Sequence, residues 1–178
     1  MAYILAIALV VLILFICFWF LLLRSLFSTA PFVPIPKSIL AQITNALAIP
    51  DTGVVYDLGC GDGRVLRYAA KVHPNAKFIG IEKNTIPYWL AKFRTRKYPQ
   101  ISILKQDFFQ TDISNASSVY VYLFPSLMPR IFEKFQKELK PGTTVVSCDF
   151  RMHDKEPKEI IRTGRRIGLG GMILIYKW

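Results

Sequence analysis

The sequence predicts an α/β fold, in which a doubly wound and mostly parallel sheet ends in a C-terminal antiparallel hairpin and is preceded by one transmembrane helix. Three observations predict this fold. The chain starts with a long apolar run, the segments after Pro50 alternate between strand-like and helix-like patterns, and a glycine turn (GLGG) joins the last two strand-like segments. The length of 178 residues fits one folded domain with little chain left over.

The apolar run at residues 2–23 carries no charge over 22 residues. As a helix it would be about 33 Å long, enough to cross a hydrocarbon core of about 30 Å. A cleaved signal peptide would start with basic residues and have a shorter apolar run, but no Lys or Arg precedes Arg24. A helix in the core of a soluble protein is rarely so uniformly apolar. We therefore expect residues 1–24 to form a retained transmembrane helix.

The charge distribution predicts the orientation of this helix and its surroundings. All 23 Lys and Arg and all 12 Asp and Glu lie at or after Arg24, with a net charge of +11. The positive-inside rule then places a single-pass protein with its folded domain on the cytoplasmic, or matrix-equivalent, side. Each basic residue near an anionic lipid surface adds about 1 kcal/mol of attraction. The expected partner is thus an anionic membrane, and no nucleic acid is expected because the tether restricts the reach of the domain.

Two basic runs, 92–97 and 162–166, could contact lipid headgroups or could simply suit the end of a helix and solvent. The three cysteines have no paired spacing and the two histidines are isolated, so neither a disulfide framework nor a metal site is expected.

Residues 25–36 (SLFSTAPFVPIP) contain three prolines and no charge, which predicts a stiff, extended linker. The folded domain would then be residues 37–178. It opens with apolar residues at helical spacing over 37–48, which predicts an amphipathic helix.

The remaining elements alternate along the chain. The predicted strands are 54–57, 77–82, 101–104, 119–123, 143–148, 159–166 and 172–178, and the predicted helices between them are 64–72, 85–97 and 126–140. Strands that alternate with helices form a parallel sheet with helices on both faces, which is a Rossmann-like arrangement. The last two strands should form an antiparallel hairpin at or near one sheet edge.

A glycine-rich loop (DLGCGDGRV) follows the first strand, where ligands of open α/β sheets bind. Gly59, Gly61 and Gly63 allow a tight turn and a close approach of the ligand to the backbone. The loop has neither the P-loop pattern nor GxGxxG. Asp57 and Asp62 would repel a phosphate and attract an ammonium or sulfonium group. The loop therefore favours a cationic ligand.

Acidic residues follow the next two strands. Glu82 can accept hydrogen bonds from two ribose hydroxyls, and Asp107 can accept one from the exocyclic amine of adenine with Phe108 beside the ring. The alternative interpretation is that each acid only caps a helix.

Together, the D-x-G-x-G-x-G loop and the two later strand-end acids resemble class I S-adenosylmethionine-dependent methyltransferases. The segments APFVPIPKSIL, VYVYLFPSLMPR and PGTTVVSCDF are similar to a smaller family within them. These are the single-span lysine methyltransferases of the adenine nucleotide translocase and of the ATP synthase c-ring protein, with prokaryotic members. The resemblance implies S-adenosylmethionine as cofactor. The cofactor-binding residues expected from loop and resemblance are Asp57, Gly59, Gly61, Asp62, Gly63, Glu82, Asp107 and Phe108.

The resemblance also implies that residues 122–125 line the acceptor channel, which makes Tyr122, Phe124 and Pro125 the expected catalytic residues. Phe124 stands where many amine methyltransferases have the polar residue of an Asn/Asp-Pro-Pro-aromatic motif. Tyr120, Tyr122 and Phe124 alternate along a strand and could instead belong to the sheet core, which is the interpretation favoured for Tyr120.

The function that these features imply is a protein-lysine N-methyltransferase acting on a membrane protein. One alternative is a methyltransferase for a small molecule or a lipid headgroup, which the same fold and anchor would serve. A second is a non-catalytic, membrane-anchored cofactor-binding protein, against which the complete set of acids argues.

Overall fold

A computed structural model of the chain describes residues 1–26, 33–152, 154–164 and 169–178. The chain divides into two compact units, Met1–Pro31 and Phe32–Trp178. Most of the expected linker (27–32), His153 and part of the second basic run (165–166) lie outside the described residues.

The first unit is one helix, α1 (Ala2–Leu26). Its segment Ala2–Phe20 has a mean hydropathy of 3.0 and none of it is buried. The helix is thus long and apolar enough to cross a membrane, as predicted, and its length and composition also suit a signal sequence.

The second unit is built on a seven-stranded sheet with the order β3-β2-β1-β4-β5-β7-β6. The strands are β1 (Val54–Leu58), β2 (Lys77–Ile81), β3 (Ile101–Leu104), β4 (Ser118–Val121), β5 (Thr144–Cys148), β6 (Glu159–Arg162) and β7 (Met172–Lys177). The first five strands are parallel, and β7 pairs antiparallel with both β5 and β6. The predicted Rossmann-like sheet with an antiparallel hairpin at one edge is confirmed.

The helices of this unit are α2 (Leu40–Ala46), α3 (Arg64–Val72), α4 (Thr85–Thr95) and α5 (Met128–Glu138). Two of them are shorter than predicted because their first turns are 3-10 helical, at Lys37–Ile39 and Pro125–Leu127. The helix α5 also ends early, and Leu139 is already extended. The nearby Pro141 explains this end, since proline cannot continue the hydrogen-bond ladder of a helix and disfavours helical geometry just before it.

The residues just before the domain are packed rather than free. Ile35 is 4% exposed and belongs to the hydrophobic core. Its carbonyl accepts a hydrogen bond from Nη1 of Arg64 at 2.8 Å. A methyl group on Gly170 would lie 2.8 Å from Cδ1 of Ile39, so the chain and the last hairpin approach closely here. The end of the expected linker therefore forms part of the folded unit.

Candidate functional site

The glycine loop lies between β1 and α3, at the carboxyl end of the central strand. Gly59, Gly61 and Gly63 have φ angles of 78°, 55° and 70°, in the left-handed region that glycine adopts without strain. The amides of Gly59 and Cys60 both donate to the carbonyl of Ile81, at 2.9 and 3.0 Å. The loop is therefore fixed to the end of β2, where the next predicted site residue lies.

Glu82 and Asp57 form a buried acidic pair beside this loop. Their residues are 6% and 2% exposed. One carboxylate oxygen of Glu82 accepts from the amide of Gly61 at 3.0 Å, and the other accepts from the amide of Asn84 at 2.8 Å. Within the described part of the chain, no hydrogen bond reaches the carboxylate of Asp57. A buried and unpaired acid is costly to keep in a folded protein.

Burial, repulsion from Glu82 and repulsion from Asp62, in that order, raise the pKa of Asp57 well above its ordinary value. Burial also raises the pKa of Glu82, although its backbone hydrogen bonds oppose this. Both shifts mean that the pocket resists negative charge while it holds no cation. A positively charged ligand beside Asp57 would relieve this cost.

Asp62 has a different environment from the one expected. It is 1% exposed, and its carboxylate forms ion pairs with Arg64 at the start of α3 and with Arg94 in α4. Burial alone would raise the pKa of Asp62, but the hydrogen bonds and charges of the two arginines outweigh it and hold the pKa below its ordinary value. Its charge is thus neutralised within the protein, which corrects the expectation that it adds negative charge for a ligand. A cofactor contact by Asp62 stays a prediction.

Asp107 follows β3 and caps the short 3-10 turn Phe108–Gln110 by accepting from the amide of Phe109 at 3.0 Å. Its other oxygen pairs with Nζ of Lys83 at 3.0 Å. The capping explanation thus holds for this acid, and Lys83 connects it to the residue after Glu82. Phe108 is half-buried and packs against Phe109, with ring centroids 4.5 Å apart.

The end of β4 carries the expected acceptor residues. Tyr120 is buried in the sheet, and its hydroxyl contacts Sγ of Cys148 at 3.4 Å, so it belongs to the core as expected. The half-buried ring of Tyr122 stacks on Phe150, with centroids 6.1 Å apart and an interplanar angle of 18°. Phe124 is 37% exposed, and Pro125 beside it is also exposed.

The Tyr122 hydroxyl is buried and has no hydrogen-bond partner among the residues that the structure describes. Burial and the charge of Asp149 raise the pKa of Tyr122, so the hydroxyl keeps its proton at neutral pH. A methyl group on Gly59 would lie 3.0 Å from Cδ2 of Leu123, which shows that the end of β4 adjoins the glycine loop. An unpaired polar atom and an exposed aromatic ring therefore lie next to the acidic pair.

Comparison with known proteins identifies the family. Residues 57–159 match the family described as the ANTKMT methyltransferase domain. The chain belongs to this family. A protein-lysine N-methyltransferase from Saccharolobus islandicus (strain REY15A) is 38% identical over 135 residues, 74% of this chain and 84% of that protein. A lysine N-methyltransferase of the ATP synthase c-ring protein, from Xenopus laevis, is 30% identical over 139 residues, 75% of this chain and 59% of that protein.

The fold of this methyltransferase agrees with its family. A crystal structure described as an RNA methyltransferase from Salinibacter ruber in complex with S-adenosyl-L-homocysteine is 32% identical. The match has a TM-score of 0.71 and covers 82% of this chain and 92% of that one. The protein is thus an S-adenosylmethionine-dependent methyltransferase.

The residues of the site fit this cofactor, which carries two cationic groups. Asp57 supplies a buried carboxylate without a hydrogen bond in the described structure, and Glu82 is held in place by two backbone amides. The backbone of Gly61, which has no side chain to obstruct a ligand, lies directly against Glu82. A cationic nucleoside would compensate the raised pKa values of both acids.

Sequence reasoning missed several residues of the site. Arg64 and Arg94 neutralise Asp62, Lys83 pairs with Asp107, and Phe150 stacks on Tyr122. Phe150 could have been found, because the same strand-end rule that selected the other acids applies to the residues just after β5. The arginine partners carry no such signal.

Proposed function

We propose that this methyltransferase modifies lysine residues of a membrane protein, and that α1 anchors it in the same membrane with its folded domain on the cytoplasmic side. The observation that carries the proposal is the identity of 38% with a protein-lysine N-methyltransferase, over 84% of that relative. The substrate in the name of the Xenopus relative, the c-ring protein of ATP synthase, is a membrane protein. The apolar helix and the position of all basic residues at or after Arg24 support the anchor and its orientation.

The cofactor-binding site follows from the geometry of the loop. Asp57 would pair with a cationic group of the cofactor, Glu82 with the ribose hydroxyls, and Asp107 with the adenine amine. The complete proposed set is Asp57, Gly59, Gly61, Gly63, Glu82, Asp107 and Phe108, with Asp62 holding the loop through its two arginines. When bound, S-adenosylmethionine supplies an electrophilic methyl group carried on a sulfonium.

The acceptor side would be formed by Tyr122, Phe124, Pro125 and Phe150. A lysine ammonium must lose a proton before it can accept a methyl group, and its ordinary pKa is about 10.4. Aromatic walls exclude water and disfavour the cation, which lowers that pKa. The buried hydroxyl of Tyr122 lacks a partner in the described structure and is therefore free to hydrogen-bond the amine and orient it.

A labelling experiment tests this function. The full-length protein is incubated with cofactor labelled in its methyl group and with membranes and RNA of its source organism. Label in a membrane protein, located on lysine by mass spectrometry, is the expected result. Label in the lipid extract or a small molecule, or in RNA as the Salinibacter relative suggests, would reassign the acceptor. Binding of the cofactor without any transfer would instead indicate a non-catalytic protein. The Asp57→Asn variant serves as the unlabelled control.

A further inference from the structure

The helix α4 presents an exposed apolar stripe that the proposed function does not explain. Ile86, Trp89 and Phe93 are 47%, 59% and 64% exposed. Their spacing of three and four residues places them on one face of the helix. The opposite face, which includes Pro87, Tyr88, Ala91 and Thr95, is buried against the domain. Large exposed side chains that cluster in this way indicate an interaction surface.

Basic residues surround this stripe. The segment 83–106 contains six Lys and Arg and no Asp or Glu. Two of the six are already paired, Lys83 with Asp107 and Arg94 with Asp62. Lys92, Arg96 and Lys97 are exposed, and none of them forms an ion pair within the described ranges of the chain. Three cations therefore flank an apolar stripe with no acid to compensate them.

We propose that the α4 surface, formed by Ile86, Trp89, Lys92, Phe93, Arg96 and Lys97, docks on an anionic lipid bilayer. Tryptophan and phenylalanine favour the membrane interface, and basic residues beside them bind anionic headgroups. Arg96 lies over the ring of Phe93, 3.9 Å from its centroid, so cation and ring present one combined patch. The apolar Ile86 favours lipid over a nucleic acid, which would contact aromatic and basic groups but not an aliphatic one.

The position of this helix in the fold gives the contact a purpose. The helix α4 starts three residues after Glu82, at the edge of the sheet that carries the glycine loop. Docking of its face brings that edge, and the exposed Phe124 with it, close to lysines at a membrane surface. The proposal rests on the proposed function for its setting, because α1 must hold the domain within reach of the bilayer.

Brominated lipids test the contact directly. The full-length Trp19→Phe variant keeps Trp89 and Trp178, and Trp178 packs in the domain against Phe132 and Phe135. It is reconstituted in phosphatidylcholine vesicles with or without phosphatidylglycerol, with bromine near the headgroup. We expect quenching that requires phosphatidylglycerol and disappears when Trp89→Phe is added. The Lys92→Gln, Lys97→Gln double variant should weaken docking about fivefold for each charge removed.

The matched control removes two exposed charges elsewhere, Lys137→Gln with Lys140→Gln at the end of α5, and should leave the quenching unchanged. Equal quenching without phosphatidylglycerol, or equal losses in both double variants, would overturn the proposal. So would a Trp89 signal that responds to added RNA, to substrate protein or to protein concentration in detergent. Extraction of the vesicles at alkaline pH reports separately whether α1 spans the bilayer, so a failed anchor is distinguishable from a failed contact.

Discussion

Two buried aspartates of one loop should respond in opposite ways to the same substitution. Asp57 and Asp62 are 2% and 1% exposed, but only Asp62 has cationic partners. Asp57→Asn removes a buried acid that is repelled by Glu82. An unsatisfied buried polar group costs about 1–3 kcal/mol, more if charged, and the amide keeps part of that cost. We expect the cofactor-free protein to gain about 1 kcal/mol, or ~2–4 °C in melting temperature.

The same substitution at Asp62 breaks two ion pairs. Losing one partner of a fully buried pair costs about 3–5 kcal/mol, but Arg64 and Arg94 partly reach water. We therefore expect Asp62→Asn to lose about 2–3 kcal/mol. Thermal unfolding of the detergent-solubilised chain measures both variants. If Asp57→Asn lowers the melting temperature as much as Asp62→Asn does, Asp57 has structural partners and our reasoning about it is wrong.

The gain in stability at Asp57 should be matched by a loss of affinity. A hydrogen bond to a charged group contributes about 1.5–3 kcal/mol, so Asp57→Asn should weaken cofactor binding about 10- to 150-fold. Calorimetry with S-adenosylmethionine and with S-adenosylhomocysteine measures this loss. Unchanged affinity for both ligands would remove Asp57 from the site.

The pH dependence of stability follows from the same two acids. The folded pKa of Asp57 is raised, so its stabilising contribution is complete below its ordinary pKa of 3.8 and is lost as the pH rises through the folded value. The advantage of Asp57→Asn over the wild type should therefore grow with pH. The folded pKa of Asp62 is lowered, so its contribution is present above 3.8 and is lost as the pH falls through the folded value.

Three further predictions concern packing, the acceptor and the anchor. Gly80→Ala should cost about 1–3 kcal/mol in a thermal melt, because the added methyl would lie 2.6–2.8 Å from three side-chain atoms; an unchanged melting temperature would contradict this packing. Tyr122→Phe should keep cofactor affinity and gain about 1 kcal/mol of stability by losing an unpaired hydroxyl, while methyl transfer falls about tenfold. Wild-type transfer rates would exclude that hydroxyl from the acceptor site. Deleting residues 1–26 should leave cofactor binding intact in calorimetry but reduce transfer to a substrate in membranes, and equal transfer would argue against the anchor.

The order of the elements could be predicted from the sequence because it depends on local patterns. Alternating apolar segments, the glycine loop and the turn before β7 each lie within a few neighbouring residues. The rule that ligands bind at the carboxyl ends of strands then selected Asp57, Glu82 and Asp107 without any knowledge of their contacts. The boundaries of the helices were less predictable, since a 3-10 first turn leaves no clear pattern in the sequence.

The sequence by itself determined that this chain has an apolar helix, a parallel α/β sheet and acids at three successive strand ends. Only the tertiary structure decided which acid is unpaired. Asp62 meets Arg94, 32 residues away, whereas Asp57 is buried beside Glu82 without a cation in the described chain. The physical reason is that burial and ion pairing depend on distances between residues far apart in the chain. For the same reason the exposed face of α4 became visible only once its other face was buried.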